Sequence, residues 1–128
     1  MKQGLLLFAH GARDARWALP FEEVARRVRQ DQAGIAVELG YLEFMAPDLR
    51  EAGNRLVACG CERIDVIPLF LGAGGHVRKD LPLMLGELAQ AHPAVQWQLQ
   101  SAIGEVDSVV EAMAQAALAM VLPPAEHS

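Results

Sequence analysis

Two of the four histidines follow apolar runs that have the composition of buried strands. His10 comes directly after the run 3–9, and His76 comes after the run 63–70 and a glycine-rich segment, 72–75. Neutral imidazole is a good ligand for late first-row divalent metals such as cobalt, nickel, iron and zinc. Two imidazoles leave coordination positions open, which suits a metal that must be handed on. The pair therefore indicates metal handling, whereas either histidine taken alone fits a packing or capping role.

Other polar residues fall next to the two histidines. Glu43 comes just after the apolar run 35–42, and its carboxylate can act as a base or as an oxygen ligand; a solvated loop residue is the alternative. Solvated charges are also the alternative for the basic residues of the two histidine segments. If those residues instead line one mouth, they favour a ligand that carries carboxylates. These basic residues are Arg13, Arg16, Arg78 and Lys79.

The glycine-rich segment 72–75 allows more than one use. Its backbone N–H groups could cradle a phosphate at the start of the following helix, as in a nucleotide binder. The segment has neither the G-x-G-x-x-G pattern nor the Lys-Ser/Thr ending of a phosphate loop. Glycines also let a flat ligand approach the backbone without a Cβ clash. We favour this second use, with Gly74 and Gly75 as substrate contacts; a purely structural loop is the third alternative.

Four strand–helix units carry these residues. The apolar runs 3–9, 35–42, 63–70 and 95–99 predict strands buried on both faces, and helical spacing of apolar residues follows each run. This alternation predicts an α/β fold with a single four-stranded parallel sheet and helices on both faces. Ligands bind such sheets at the carboxyl ends of the strands, so the histidine segments and Glu43 are expected at one edge.

The helices carry end signals of their own. Pro47 is expected in the first turn of the second helix, with Gly60 just beyond its end. The third helix is expected over 80–91, with Pro82 near its start. A stripe at helical spacing predicts the buried face of the fourth helix: Val106, Val109, Val110, Met113 and Ala117.

Length and composition restrict the class of protein. The 128 residues fit one domain, expected over 1–122, with a disordered tail over 123–128. A net charge of -5 argues against a nucleic-acid partner. The first apolar run is too short for a signal sequence, and no run reaches the roughly 20 apolar residues that span a bilayer. We therefore expect a cytoplasmic protein without a membrane partner, in which Cys59 and Cys61 stay reduced.

Three segments resemble a known family: LLLFAHGARDARW from residue 5, LGYLEFMAPDL from residue 39 and IDVIPLFLGAGGHVRKDLP from residue 64. They are similar to the short-form sirohydrochlorin chelatases of cobalamin and sirohaem synthesis, which belong to the class II chelatases and insert metal without ATP hydrolysis. The similarity runs from about Leu5 to Met113. It implies the flavodoxin-like half of a class II chelatase.

The resemblance also implies roles for particular residues. His10 and His76 correspond to the paired metal-binding histidines of the family, Glu43 corresponds to its acidic residue after the second strand, and Ala12 stands where members often have Ser. The implied substrates are sirohydrochlorin and a divalent metal, with cobalt first and iron or nickel as alternatives. No organic cofactor is implied. A carrier that binds metal or tetrapyrrole without turnover is the rival function.

Longer members of that family hold two such domains in one chain. A chain with one domain is therefore expected to form a homodimer, in which two copies share the cleft. We expect the interface near the glycine segment, from Val77, Leu81 and Met84, unless these side chains fill the core of the single chain.

Overall fold

Four parallel strands form the centre of the molecule in the computed structural model, which describes residues 1–72 and 74–123, the side chain of His76 excepted. The strand order is β2-β1-β3-β4, and all three neighbouring pairs are parallel. The predicted α/β fold is confirmed. The strands are β1 (Gln3–Ala9), β2 (Ala36–Tyr41), β3 (Arg63–Pro68) and β4 (Gln96–Leu99).

Four helices connect or follow the strands. They are α1 (Leu19–Asp31), α2 (Leu49–Ala58), α3 (Gly75–Ala91) and α4 (Asp107–Val121), and short 3-10 helices lie at Ala15–Ala18 and Ile103–Glu105. None of the described helices is long and apolar enough to cross a bilayer. The expected domain 1–122 and its tail stay predictions, because residues 124–128 lie outside the described part.

Two helix starts differ from the sequence predictions. Pro47 precedes α2 instead of lying in its first turn, because the carboxylate of Asp48 accepts the N–H of Glu51 at 2.8 Å and so caps the helix. The third helix begins at Gly75, not at residue 80, which places Pro82 in the helix interior. Glycines suggested a loop there, but Val77 extends the buried stripe of α3 by one turn.

The side chains of successive strand residues alternate between two hydrophobic clusters, one on each face of the sheet. On one face, α1 covers Leu7, Val37 and Leu39. On the other face, α2 and α3 cover a larger cluster that includes Leu6, Phe8, Ile64, Val66 and Leu81. Each such side chain contributes about 1.5–3 kcal/mol when it is fully buried. Leu81 is 4% exposed, so its expected place in a dimer interface is wrong: it fills the core of the single chain.

The fourth helix does not bury the face predicted for it. Along α4 none of the residues is buried, and Val110, Met113 and Met120 are exposed. Its main contact within the chain is with the 3-10 helix Ile103–Glu105. The sequence predicted the helix and its apolar stripe correctly, but the described part of the chain does not bury that stripe.

Asp65 is a buried carboxylate on the face that α1 partly covers. It accepts hydrogen bonds from Arg63, Gln100 and Gln3, with the Gln100 Nε2 at 2.9 Å. Burial by itself raises the pKa of Asp65, but these three donors outweigh it and hold the pKa below the ordinary value of 3.8. The charged carboxylate therefore stabilises the folded chain.

Replacing Asp65 by Asn should lower the free energy of unfolding by about 1–3 kcal/mol at neutral pH, because the bonded donors lose a charged acceptor. The folded pKa of Asp65 is lowered, so its contribution is present above pH 3.8 and is lost as the pH falls through the folded value. Urea unfolding at several pH values measures this loss, and the gap to wild type should narrow in acid. Glu62→Gln, at an exposed neighbour, is the control and should change stability by no more than about 0.5 kcal/mol. Equal effects of the two substitutions would contradict this role for Asp65.

Candidate functional site

Backbone hydrogen bonds join the loop after β1 to the loop after β2. The N–H of Leu42 donates to the carbonyl of Ala9 at 2.9 Å, and the N–H of Glu43 donates to the carbonyl of His10 at 3.1 Å. These bonds continue the pairing of β1 and β2 past the ends of both strands. His10 and Glu43 are therefore held side by side at the carboxyl edge of the sheet, as the sequence predicted.

The side chains of His10 and Glu43 also meet. His10 Nε2 lies 3.1 Å from Glu43 Oε1, and both side chains are about half exposed. An imidazole nitrogen donates or accepts according to its tautomer, so the contact is a hydrogen bond to Glu43 when Nε2 carries the proton. Two ligands bound at about 2.1 Å from one cation and at right angles stand about 3 Å apart. The same spacing therefore suits a cation held between imidazole and carboxylate.

An aromatic wall lies beside His10. The ring of Phe70 meets the His10 ring edge-on, with 6.1 Å between centroids, and Phe70 in turn packs edge-on against Phe8 at 5.9 Å. Phe70 is 8% exposed. One side of the imidazole thus contacts the hydrophobic core, and the ring orientation is restricted by Phe70 on one side and by Glu43 on the other.

Gly11 makes the approach of the two loops possible. Its φ is +91°, and a Cβ at this position would collide with the carbonyl oxygen of Glu43. L-residues with a side chain rarely adopt this conformation, which glycine adopts without strain. The His-Gly pair in the sequence therefore has a geometric cause: the residue after the imidazole must let a second backbone come into contact.

His76 is the second residue of α3, and α3 follows the loop that leaves the carboxyl end of β3. Its backbone therefore lies at the same edge of the sheet as His10. Its side chain lies outside the described part, so the sharing of one cation by the two histidines stays a prediction. Among the side chains that the structure does describe, no three His, Cys, Asp or Glu residues form a metal-binding group.

The basic residues of the two histidine segments differ in their partners. The Arg16 guanidinium pairs with Asp14 at 3.1 Å and, with the backbone N–H of the same residue, lowers the pKa of the Asp14 carboxyl. Arg78 pairs with Glu105 at 2.9 Å. Arg13 instead lies over the ring of Phe44, 5.0 Å from its centroid. Of the three, Arg13 is therefore the best placed to meet an incoming carboxylate.

Phe44 is a candidate site residue that sequence reasoning missed. It follows Glu43 directly, is 58% exposed, and has a positive φ of 66°. A bulky residue rarely adopts this conformation, and such backbone strain is concentrated at functional sites. Its ring can contact a flat ligand while Arg13 binds a carboxylate of the same ligand. The sequence did offer one signal for Phe44. Phe, Trp and Tyr make up only 5% of the chain, so an aromatic residue directly after Glu43 is unusual in it.

A pocket of about 210 Å³ opens beside Glu43. Its apolar lining comes from Phe8, Leu42, Val77, Leu81 and Met84. Pockets that enclose a drug-sized ligand typically measure about 300–1,000 Å³, so this one is too small for a tetrapyrrole. The described part of a single chain thus offers one shallow wall at Glu43.

The two glycines predicted to contact the substrate lie at the start of α3. Gly74 is the N-cap residue and Gly75 is the first residue of the helix. A Cβ added at either position would meet no atom within 4 Å.

The chain matches one protein family over most of its length and is similar to named relatives. The family model described as CbiX matches residues 4–119. A sirohydrochlorin cobaltochelatase of Methanococcus aeolicus is 32% identical over 89 residues, which cover 66% of this chain and 59% of that protein. The chain therefore spans about three-fifths of the length of that relative.

Two solved structures share the fold. A CbiX protein of cobalamin (vitamin B12) biosynthesis from Marinobacter aquaeolei superposes with a TM-score of 0.82 and 34% identity, over 93% of this chain and 97% of that one. The sirohydrochlorin chelatase SirB from Bacillus subtilis subspecies spizizenii, in complex with cobalt, gives a TM-score of 0.74 and 25% identity. That match covers 94% of this chain and 51% of SirB.

Replacing Gly11 by Ala should displace the loop that carries Glu43, because the new Cβ collides with its carbonyl oxygen. We expect a loss of about 1–3 kcal/mol in the free energy of unfolding, from the positive φ and the clash together. Gly34→Ala is the matched control, since a Cβ there has no atom within 4 Å and its φ is not positive. Chemical denaturation of both variants checks the difference. Equal stability of the two variants would show that the contact between the loops is not tight.

Proposed function

The chain belongs to the CbiX family, and from this membership we propose that it inserts a divalent metal, with cobalt foremost, into sirohydrochlorin. The observation that carries the proposal is the contact between His10 and Glu43 at the carboxyl edge of the sheet. The cobaltochelatase name of the relative and the cobalt complex of SirB support the choice of metal. Iron and nickel suit the same imidazole and carboxylate ligands.

Metal insertion requires the pyrrole N–H protons to leave as the cation enters the ring. We assign His10 and Glu43 to hold the cation first, with His76 as the further imidazole. Each group that releases the cation regains a lone pair, and that lone pair can then accept a proton from the ring. We assign proton acceptance to Glu43, whose half-exposed carboxylate lies 3.1 Å from the imidazole. This exchange needs no organic cofactor.

Sirohydrochlorin carries many carboxylates, and the protein has a net charge of -5. Positive side chains near His10 and Glu43 must therefore offset the repulsion between protein and substrate. Arg13 is proposed to bind one of them, with Arg16 and Arg78 as secondary contacts that already have protein partners. Gly74 and Gly75, at the start of α3, would let the flat ring approach the backbone. We propose no nucleic-acid or membrane partner, and a cytoplasmic location, where the free Cys59 and Cys61 stay reduced.

The second wall of the cleft is proposed to come from a second copy of the chain. The pocket beside Glu43 is small, whereas a site for a ligand of this size usually buries most of the ligand surface. A two-fold dimer would bring two copies of the edge to one cleft.

Replacing His10 by Ala should lower the rate of cobalt insertion into sirohydrochlorin by at least about 100-fold, because a direct metal ligand is lost. The matched control is His92→Ala. His92 ends α3 and bonds to Asn54 Oδ1 at 2.8 Å, at the opposite edge of the sheet. The absorbance change on metal insertion measures both rates. If the two variants lost activity equally, or if His10→Ala kept the wild-type rate, the assignment of His10 would be wrong.

Replacing Arg13 by Ala should raise the KM for sirohydrochlorin about two- to fivefold at low salt, because one exposed charge contact is lost. The effect should shrink at high salt, where the contact is screened. Arg16→Ala, which removes a guanidinium already paired with Asp14, should change KM less. An unchanged KM for Arg13→Ala at low salt would remove this residue from the substrate site.

The dimer itself is checked by light scattering at micromolar concentration, where we expect the mass of two chains. A strictly monomeric protein with full turnover would mean that one copy builds the cleft alone.

A further inference from the structure

Helix α4 presents an apolar stripe to water. Residues at helical spacing form the stripe, and Met113 and Met120 within it are 41% and 84% exposed. Glu111 and Gln115, which share a hydrogen bond of 2.8 Å, lie on the opposite side of the helix. An amphipathic helix of a folded protein normally buries such a stripe. Within the described part of the chain, the main contact of α4 is with the short 3-10 helix Ile103–Glu105.

The sheet has an open area that lacks a helix. On the face where α1 packs, α1 lies mainly over β2 and has no comparable contact with β3 or β4, although Ile67 of β3 borders the cluster under α1. A recess of about 530 Å³ lies there, with Leu5, Ile67, Ile103 and Val106 among its apolar lining. Parallel sheets are normally covered by helices on both faces. Neither His10 nor Glu43 lines this open area, which is defined by the recess, and Arg63 and Asp65 make it too polar to be an empty core cavity.

The helix and the open area fit each other in length and chemistry. Fifteen residues of α4 make a helix of about 22 Å, and six residues of β3 extend for about 20 Å. If the stripe of α4 packs on Leu5 and Ile67, Glu111 and Gln115 stay in water. Asp65, the cross-strand neighbour of Leu5, lies within this contact, and hydrogen bonds from Arg63, Gln100 and Gln3 satisfy its carboxylate there.

We propose that α4 of each copy crosses to the second copy and covers the open area of its sheet. The chain's own α4 begins after Val106, at the border of its own recess, and none of the α4 residues line that recess. When two copies exchange their α4 helices by two-fold symmetry, the same contact, made twice, covers the apolar stripe of each helix and the open area of each sheet. The inference rests on the proposed dimer and specifies its interface; it does not involve the metal-handling residues.

A charge within the stripe tests the interface. Met113→Glu should weaken the dimer at least about 100-fold and give the mass of one chain in light scattering at micromolar concentration, because a carboxylate would be buried without a partner. Ala119→Glu adds the same charge on the opposite side of α4 and should leave the dimer intact. Circular dichroism verifies that both variants are folded. A dimer unchanged by Met113→Glu, or equally weakened by the two substitutions, overturns the proposal.

Cross-linking tests which sheet α4 covers and works even if Met113→Glu fails to fold. One cysteine replaces Ala117 in the stripe, and a second replaces Ser101 at the recess. The exposed Cys59 is changed to Ser, and the remaining Cys61 is buried. A short bis-maleimide should then give a covalent dimer. A cross-link within one chain, or no covalent dimer, overturns the exchange.

The matched control moves the helix cysteine from Ala117 to Ala119, and we expect at least about tenfold less covalent dimer. If light scattering still shows a dimer when the exchange is overturned, the proposed dimer stands and uses another surface. Neither outcome depends on chelatase turnover.

Discussion

The pairing of β1 with β2 beyond the ends of both strands is the constraint on which the site depends. It brings the backbone of Glu43 onto the backbone of His10, and only a glycine at position 11 permits that approach. Once the backbones are fixed, imidazole and carboxylate meet at 3.1 Å without long flexible loops. A rigid sheet edge thus positions an imidazole and a carboxylate side by side, as the proposed handling of a cation that is first held and then released would require.

The site is also open to solvent. His10 and Glu43 are about half exposed, and the wall behind them is the buried ring of Phe70. A closed metal site would hold its ion, whereas in the proposed site two ligands and one apolar wall would leave the remaining coordination positions to water or to a tetrapyrrole. The exposed Phe44 and the Arg13 above it extend the same edge toward a ligand that is both flat and anionic.

The sequence predicted the four strands to within two residues at each end, because continuous apolar runs have few alternatives in a parallel sheet. It also predicted that His10 and Glu43 share an edge. The start of α3 could not be predicted, because Gly74 and Gly75 suggest a loop while Val77 already belongs to the core. The packing of α4 could not be predicted either. A stripe such as the one at Met113 shows that a helix buries a face, but not which copy of the chain covers it.

We propose that this edge of the sheet catalyses metal insertion and does not merely carry metal. The most direct measurement is multiple-turnover insertion of cobalt, with sirohydrochlorin in roughly 50-fold excess over protein and the protein-free rate subtracted. Metallated product should accumulate linearly, well beyond one equivalent per cleft, because release of the cation regenerates His10 and Glu43 for the next cycle. A plateau at one equivalent, with no acceleration over the protein-free reaction, would identify a carrier and rule out catalysis by this edge.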